Sequence, residues 1–198
     1  MNIAVLGGSF DPPHRGHQTT SKRLLKLFDF GEVWLMPCFA HPFTKNLSAP
    51  ANRFEMAKYL ESKNIKVSDF ELRKKSVSYT IDTLRSLEKM HPKDKFFWII
   101  GSDQVKSFTK WKDWKEIINR FKLVIVPRSS FREANKELKN IAKLVSFPEN
   151  IILVDKNKFM PIYISSTLIR KKIKEKQSVS NMMPKKVEEY IIQNKLYV

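Results

Sequence analysis

Two imidazoles stand three residues apart, with a glycine between them, in His14-Arg15-Gly16-His17. At helical spacing they lie on one side of a first turn, where both can donate hydrogen bonds to phosphate oxygens. Just ahead runs Gly7-Gly8-Ser9-Phe10-Asp11-Pro12-Pro13. Its paired glycines allow close backbone approach, and the helix that follows offers free N–H groups and a positive dipole end. The loop is neither the G-x-G-x-x-G dinucleotide fingerprint nor a P-loop, which needs a lysine. The chain has only five glycines and four histidines, yet Gly7, Gly8, Gly16, His14 and His17 all fall within its first seventeen residues. Such bunching of scarce residues argues against two incidental surface histidines. A metal pair is disfavoured as well, because no third ligand stands at ligand spacing.

A second group lies far along the chain, in Ile164-Ser165-Ser166-Thr167-Leu168-Ile169-Arg170. Three hydroxyls at a helix start supply caps and phosphate donors, and Arg170 follows one turn later. Taken alone, this stretch is equally well an ordinary Ser/Thr cap on a basic helix. Trp111 offers a flat ring suited to stacking on an electron-poor heterocycle, or to a place in the core.

The elements that must position these groups alternate between strand and helix. Apolar runs predict strands over 2–6, 32–36, 65–70, 96–100, 123–126 and 151–154. Helical patterns cover 16–28, 51–61, 80–90, 103–121, 132–145, 166–176 and 184–194. Pro37, Pro42 and Pro50 mark 38–50 as a loop long enough to be functional. Near-continuous apolar strands alternating with helices imply an α/β fold, a Rossmann-like doubly wound parallel sheet with helices on both faces and a small helical C-terminal end. No linker or repeat interrupts the pattern, so 1–198 reads as one domain. In such sheets ligands sit at the carboxyl ends of strands, here the loops after Leu6, Met36, Ile100 and Val126.

Composition narrows the classes. Hydrophobic residues make up 42% of the 198, enough for a packed core. No apolar run approaches the ~20 residues of a membrane span, and the start lacks the basic n-region of a signal peptide. A single cysteine, Cys38, forbids an internal disulfide framework. These features predict a soluble, cytoplasmic protein with no membrane partner. The 37 Lys and Arg against 20 Asp and Glu give +17, which suits polyphosphate ligands, nucleic acid, or merely a Lys-rich composition. Nucleic acid is disfavoured, since most aromatics fall within apolar strands and helix faces rather than among the basic residues.

Gly8-Ser9-Phe10-Asp11-Pro12-x-His14-x-Gly16-His17 resembles the signature of the HIGH-containing nucleotidyltransferase superfamily, and Ile164 to Arg170 resembles its ISSTxxR element. Between them Ser78-Tyr79-Thr80-x-Asp82-Thr83-Leu84, Ile99-Ile100-Gly101-Ser102-Asp103, Trp111 and Pro127-Arg128 occur in the order of bacterial nicotinate-nucleotide adenylyltransferases. The stretch from Met183 to Tyr197 is similar to that family's last helix. The resemblance implies AMP transfer from ATP to nicotinate mononucleotide, giving deamido-NAD and pyrophosphate, with Mg²⁺ bound alongside ATP. It further implies that Gly7, Gly8, Ser9, Phe10, His14, His17, Ser165, Ser166, Thr167 and Arg170 hold ATP. Trp111 would stack on the pyridine ring, Tyr79 and Thr80 would line the pocket for its carboxylate, and Asp103 would bind ribose. Association into a homo-oligomer stays open.

One loop departs from the family pattern. Where the family carries Pro-Pro-His-Lys, this chain has Ala40-His41-Pro42-Phe43-Thr44-Lys45, one residue longer and with the His ahead of the Pro. Lys45 can still reach phosphate, whereas His41 is not carried over. The expected chemistry needs no protein nucleophile: the mononucleotide's phosphate attacks the α-phosphorus of ATP in line, and His14, His17, Lys45 and Arg170 neutralise the growing charge. The alternatives are a nicotinamide-mononucleotide, pantetheine-phosphate or cytidylyl transferase and, more distantly, a nucleic-acid-binding protein.

Overall fold

Apolar side chains at successive strand positions point alternately to opposite faces, so a sheet built from them must be covered on both. The computed structural model describes residues 1–43, 46–128, 131–160 and 162–198. Its strands are β1 (Asn2–Gly8), β2 (Glu32–Pro37), β3 (Ile65–Val67), β4 (Lys95–Gly101), β5 (Lys122–Val126) and β6 (Ile151–Leu153). They form one sheet in the order β3-β2-β1-β4-β5-β6, with every neighbouring pair parallel. This is the doubly wound, Rossmann-like arrangement expected from the sequence.

The helices are α1 (Arg15–Leu27), α2 (Pro50–Lys58), α3 (Phe70–Arg73), α4 (Thr80–Met90), α5 (Val105–Phe108), α6 (Trp114–Arg120), α7 (Phe131–Ala142), α8 (Ser166–Lys174) and α9 (Lys185–Gln193). Alternation along the strands sorts them into two layers. Ala4, Val33, Leu35, Phe97, Ile99 and Val124 pack against Leu24, Met56, Ile169 and Ile191 of α1, α2, α8 and α9. Ile3, Val5, Trp98, Ile100 and Ile125 pack against Leu84, Phe108, Ile117 and Leu138 of α4, α5, α6 and α7. The chain turns from one layer to the other where β1 meets β4, which opens a crevice beyond the strands' carboxyl ends.

Two departures from the sequence pattern bear on the site. The helix expected over 103–121 is broken into a 3-10 turn (Ser102–Gln104), α5 and α6. Asp113 takes a left-handed conformation (φ 48°) between the last two, and the break lifts Trp111 out of a continuous helix. β3 ends at Val67, earlier than expected, because α3 begins at Phe70 and turns Glu71 inward. Among the described residues no helix is long and apolar enough to cross a membrane.

At Gly7, a Cβ would lie 2.3 Å from the buried Trp98 ring. At Gly31 it would crowd only the side chain of Met1, which is 54% exposed and able to swing away, with the Asn2 carbonyl at an ordinary 3.8 Å. Gly7→Ala is therefore expected to cost about 1–3 kcal/mol in urea unfolding, and Gly31→Ala no more than about 0.5 kcal/mol. Equal losses would show that Trp98 does not constrain the first loop.

Candidate active site

The histidines are locked by the backbone of their own helix. His14 caps α1, its Nδ1 accepting from Gly16 N–H at 3.1 Å, while His17 Nδ1 accepts from His14 N–H at 3.1 Å. A main-chain N–H can only donate, so each Nδ1 must be unprotonated, and the neutral ring carries its proton on Nε2. Both rings thus keep a donor for a ligand. They stack with centroids 3.8 Å apart, and Phe10 lies 4.6 Å from His17. Gly16 is required here, because a Cβ would sit 2.8 Å from the His14 ring. Burial, reinforced by the Arg128 guanidinium, lowers His14 from 6.5 to about 3. Burial, His14 and Arg128 together hold His17 well below its ordinary value.

The loop ahead of α1 is pinned from elsewhere in the chain. Ser166 Oγ donates to the Pro12 carbonyl at 2.8 Å, and Arg170 Nη1 donates to the Asp11 carbonyl at 2.6 Å. Tyr197 donates its hydroxyl to Asp11 Oδ1 at 2.6 Å, and Ser48 N–H donates to Oδ2 at 3.1 Å. Arg53, wholly buried, spends its guanidinium on three carbonyls: Ser48 at 2.9 Å, Ser9 at 2.8 Å and Phe39 at 2.8 Å. Phe10 is held at φ 51°, a strained conformation for a non-glycine residue.

Two cavities open at the carboxyl ends of the strands. The smaller, about 220 Å³, is lined by Gly7, Gly8, Ser9, Phe10, His14, His17 and Ser166, together with Arg128 and Ile162. The larger, about 900 Å³, is lined by Gly7, Gly8, Tyr79, Thr80 and Trp111, together with Glu71, Lys110 and Lys112. Trp111 packs 5.3 Å from Phe108 and also faces this cavity, so it is both a core and a wall residue. The first turn of α4 has no side-chain cap at Tyr79, which leaves its N–H groups for an anion. Lys112 pairs with Asp82 at 2.8 Å, tying the Trp111 loop to α4.

Several expected residues stand back from both cavities. Ser165 caps α8 by accepting from Leu168 N–H at 3.2 Å, and Thr167 lies in the first turn of α8. Arg170 serves the Asp11 carbonyl, and Asp103 pairs with Arg128 at 3.2 Å. Lys45 lies outside the described residues. In turn, the sequence pattern assigned no role to His41, Glu71, Gln104 or Arg128. His41 lines both cavities, its Nδ1 accepting from Phe43 N–H at 3.1 Å, and burial lowers its pKa. Glu71 is buried, accepts from Thr83 Oγ1 at 2.7 Å, and has its carboxyl raised by desolvation. Glycine spacing and helix capping reveal the two histidines, whereas these four are brought in by tertiary structure alone.

The profile of a family described as cytidylyltransferase-like matches residues 5–172. A probable nicotinate-nucleotide adenylyltransferase of Methylacidiphilum infernorum is 35% identical, the alignment covering 100% of this chain and 93% of that protein. One of Clostridium botulinum (strain Okra) is 37% identical, covering 100% and 99%. The solved Plasmodium falciparum nicotinic acid mononucleotide adenylyltransferase complexed with NaAD superposes with a TM-score of 0.79 at 22% identity, covering 99% of this chain and 97% of that one.

Because the folded histidines resist protonation and unfolded ones do not, acid must favour unfolding. Their contribution is fully present above pH 6.5 and is lost as pH falls, for His14 toward about 3. Denaturant unfolding between pH 7.5 and 4.5 is expected to lose up to about 1.4 kcal/mol per pH unit for each such imidazole. His14→Asn keeps a cap acceptor and removes the titration, so its acid slope should be shallower. Identical slopes would show that His14 is not held neutral by the fold.

Proposed function

The chain belongs to the cytidylyltransferase-like family, and within it to the nicotinate-nucleotide adenylyltransferases; from that membership we propose that it transfers AMP from ATP to nicotinate mononucleotide, forming deamido-NAD and pyrophosphate for NAD biosynthesis. The observation that carries the reading is the meeting of two cavities on one Gly7-Gly8 wall, one holding the paired imidazoles and the other Trp111. Residues 1–198 act as one nucleotidyltransferase domain.

In this reading the smaller cavity takes the phosphates of ATP. Nε2–H of His14 and of His17 donates to phosphate oxygens, and the backbone from Gly7 to Phe10 approaches them closely. Ser166 meets the triphosphate at the start of α8, which Ser165 caps and Thr167 continues behind it, while Arg170 acts through the Asp11 carbonyl it holds and Lys45 supplies positive charge. Among the described residues no cluster of three or more metal-ligating side chains is present. Mg²⁺ would accompany ATP, with the His14 and His17 donors and the Gly7–Phe10 backbone holding the phosphates that carry it, and would supply charge neutralisation there.

The larger cavity takes the mononucleotide. Trp111 stacks on the pyridine ring, and the uncapped first turn at Tyr79 and Thr80 receives the ring carboxylate. Lys110 adds positive charge to this wall, with Lys112 beside it paired to Asp82. This electrostatic balance favours nicotinate over nicotinamide. A ribose role for Asp103 requires it to exchange its Arg128 partner, since it lines neither cavity. The enzyme works in the cytoplasm on small-molecule substrates, without a membrane or nucleic acid.

An oxygen of the 5′-phosphate attacks the α-phosphorus of ATP in line, and the bond to the β-phosphate oxygen breaks with its electron pair leaving on pyrophosphate. The protein's task is to hold two polyanions in line and to meet the growing charge with preorganised donors. Neutral imidazoles suit this, since each donates a hydrogen bond without trapping the product as tightly as a fixed cation.

Pyrophosphate release from ATP should be rapid with nicotinate mononucleotide and at least tenfold slower in kcat/KM with nicotinamide mononucleotide, about 1.4 kcal/mol of discrimination. Failure with both would overturn the function. Trp111→Ala should raise KM for the mononucleotide about tenfold while leaving KM for ATP within about twofold. Equal effects on both substrates would leave Trp111 a purely structural residue.

A further inference from the structure

Only Gly7, Gly8, His41 and Gln104 line both cavities among the described residues. The glycines offer no side chain, so the shared wall presents two functional groups, an imidazole and a carboxamide. We infer that Gln104 is a further catalytic residue, its side-chain amide donating to a phosphate oxygen where the mononucleotide's 5′-phosphate meets the α-phosphate of ATP. This rests on the adenylyl-transfer reading above.

The orientation of the amide follows from its partner. Gln104 Oε1 accepts from Gly101 N–H at 3.3 Å. A backbone N–H can only donate, so the oxygen end of the planar carboxamide must face Gly101, and the NH₂ end is turned away from it. Neither of its hydrogens finds an acceptor among the described residues, although the side chain is half-buried in a cavity wall. A donor pair held in place and left unused at the junction of two anion sites is suited to an oxygen that arrives with substrate.

Its backbone is fixed as firmly. Gln104 ends the 3-10 turn that leaves β4 at the switch point of the sheet, and its own carbonyl accepts from Ser107 Oγ at 3.0 Å. His41 shows the same device across the wall: a backbone N–H occupies Nδ1, which leaves Nε2–H as the outward donor. Gln104 gives up no proton in the reaction. It holds the attacking oxygen in line while the new P–O bond forms and pyrophosphate departs.

Gln104→Glu separates the two jobs of this side chain. The carboxylate still accepts from Gly101 N–H, but both donors are gone. Gln104→Met removes the donors without adding charge. In steady-state assays with ATP and nicotinate mononucleotide, both variants are expected to lose about tenfold to a hundredfold in kcat. KM for each substrate should change less, and Gln104→Glu should keep the wild-type thermal midpoint. Should either variant retain kcat within about twofold of wild type, Gln104 is not a phosphate donor. If Gln104→Glu does not fold, Gln104→Met alone decides by the same threshold. Wild-type enzyme that turns over neither mononucleotide fails the adenylyl-transfer reading itself, and the role of Gln104 falls with it. Normal wild-type turnover with normal variants overturns the Gln104 assignment alone.

Discussion

The site depends on what happens to three carbonyls. Those of Ser9, Asp11 and Pro12 are taken by Arg53, Arg170 and Ser166, respectively, donors that lie 44, 159 and 154 residues away in sequence. In a planar trans peptide the carbonyl and the following N–H point in opposite directions. Engaging the Ser9 carbonyl from behind therefore turns the Phe10 N–H the other way, and Phe10 lines the smaller cavity. The strained Phe10 backbone, at φ 51°, is kept in place by these same bonds. The shape of this loop therefore depends on α8 being docked against it.

The electrostatics of the site differ from what the overall charge suggests. A chain of +17 could have lined its phosphate cavity with lysines. Instead the groups at the loop are two imidazoles pushed toward neutrality by burial and by the one guanidinium beside them, Arg128. Arg128 is itself partly balanced by Asp103 at 3.2 Å. A cavity of fixed donors with little standing charge does not have to pay for burying unpaired cations when it is empty. On the proposed reading it still answers the charge that arrives with ATP, because in a low-dielectric wall a hydrogen bond to an anion is strong.

Local physics was legible in the sequence and distant physics was not. The spacing of His14 and His17 put both on one side of the first turn; that they are an N-cap and its N3 partner is seen only in the fold. The strands were legible because a sheet covered on both faces leaves no polar alternation. The convergence of 9–12 with 165–170 came through family resemblance, since nothing in either segment encodes their contact. Arg53 left no signal at all: it is satisfied by main-chain carbonyls, which every residue possesses, so no partner residue type marks it. Gln104 and His41 are similar, each set by a neighbouring backbone N–H. The break in 103–121 was missed because its apolar residues keep a helical spacing while Asp113 reverses the chain.

The two cavities are also held with unequal firmness. The loop carrying the phosphate donors is fastened by buried bonds from Arg53 and by α8, and releasing any of these strands a buried polar group at about 1–3 kcal/mol. The Trp111 loop is tied to α4 through Lys112–Asp82 at 2.8 Å and Arg85–Asp113 at 3.2 Å, with Arg85–Glu116 beside them, and Trp111 itself packs on Phe108. These pairs are solvent-exposed, and each is worth about 0–1 kcal/mol. Adjustment to an incoming nucleotide is therefore cheaper on the Trp111 side than on the histidine side. On the proposed reading, a pyridine ring is accommodated by exposed ion pairs on the Trp111 side, while the buried bonds that aim the histidine donors stay in place across the shared Gly7-Gly8 wall.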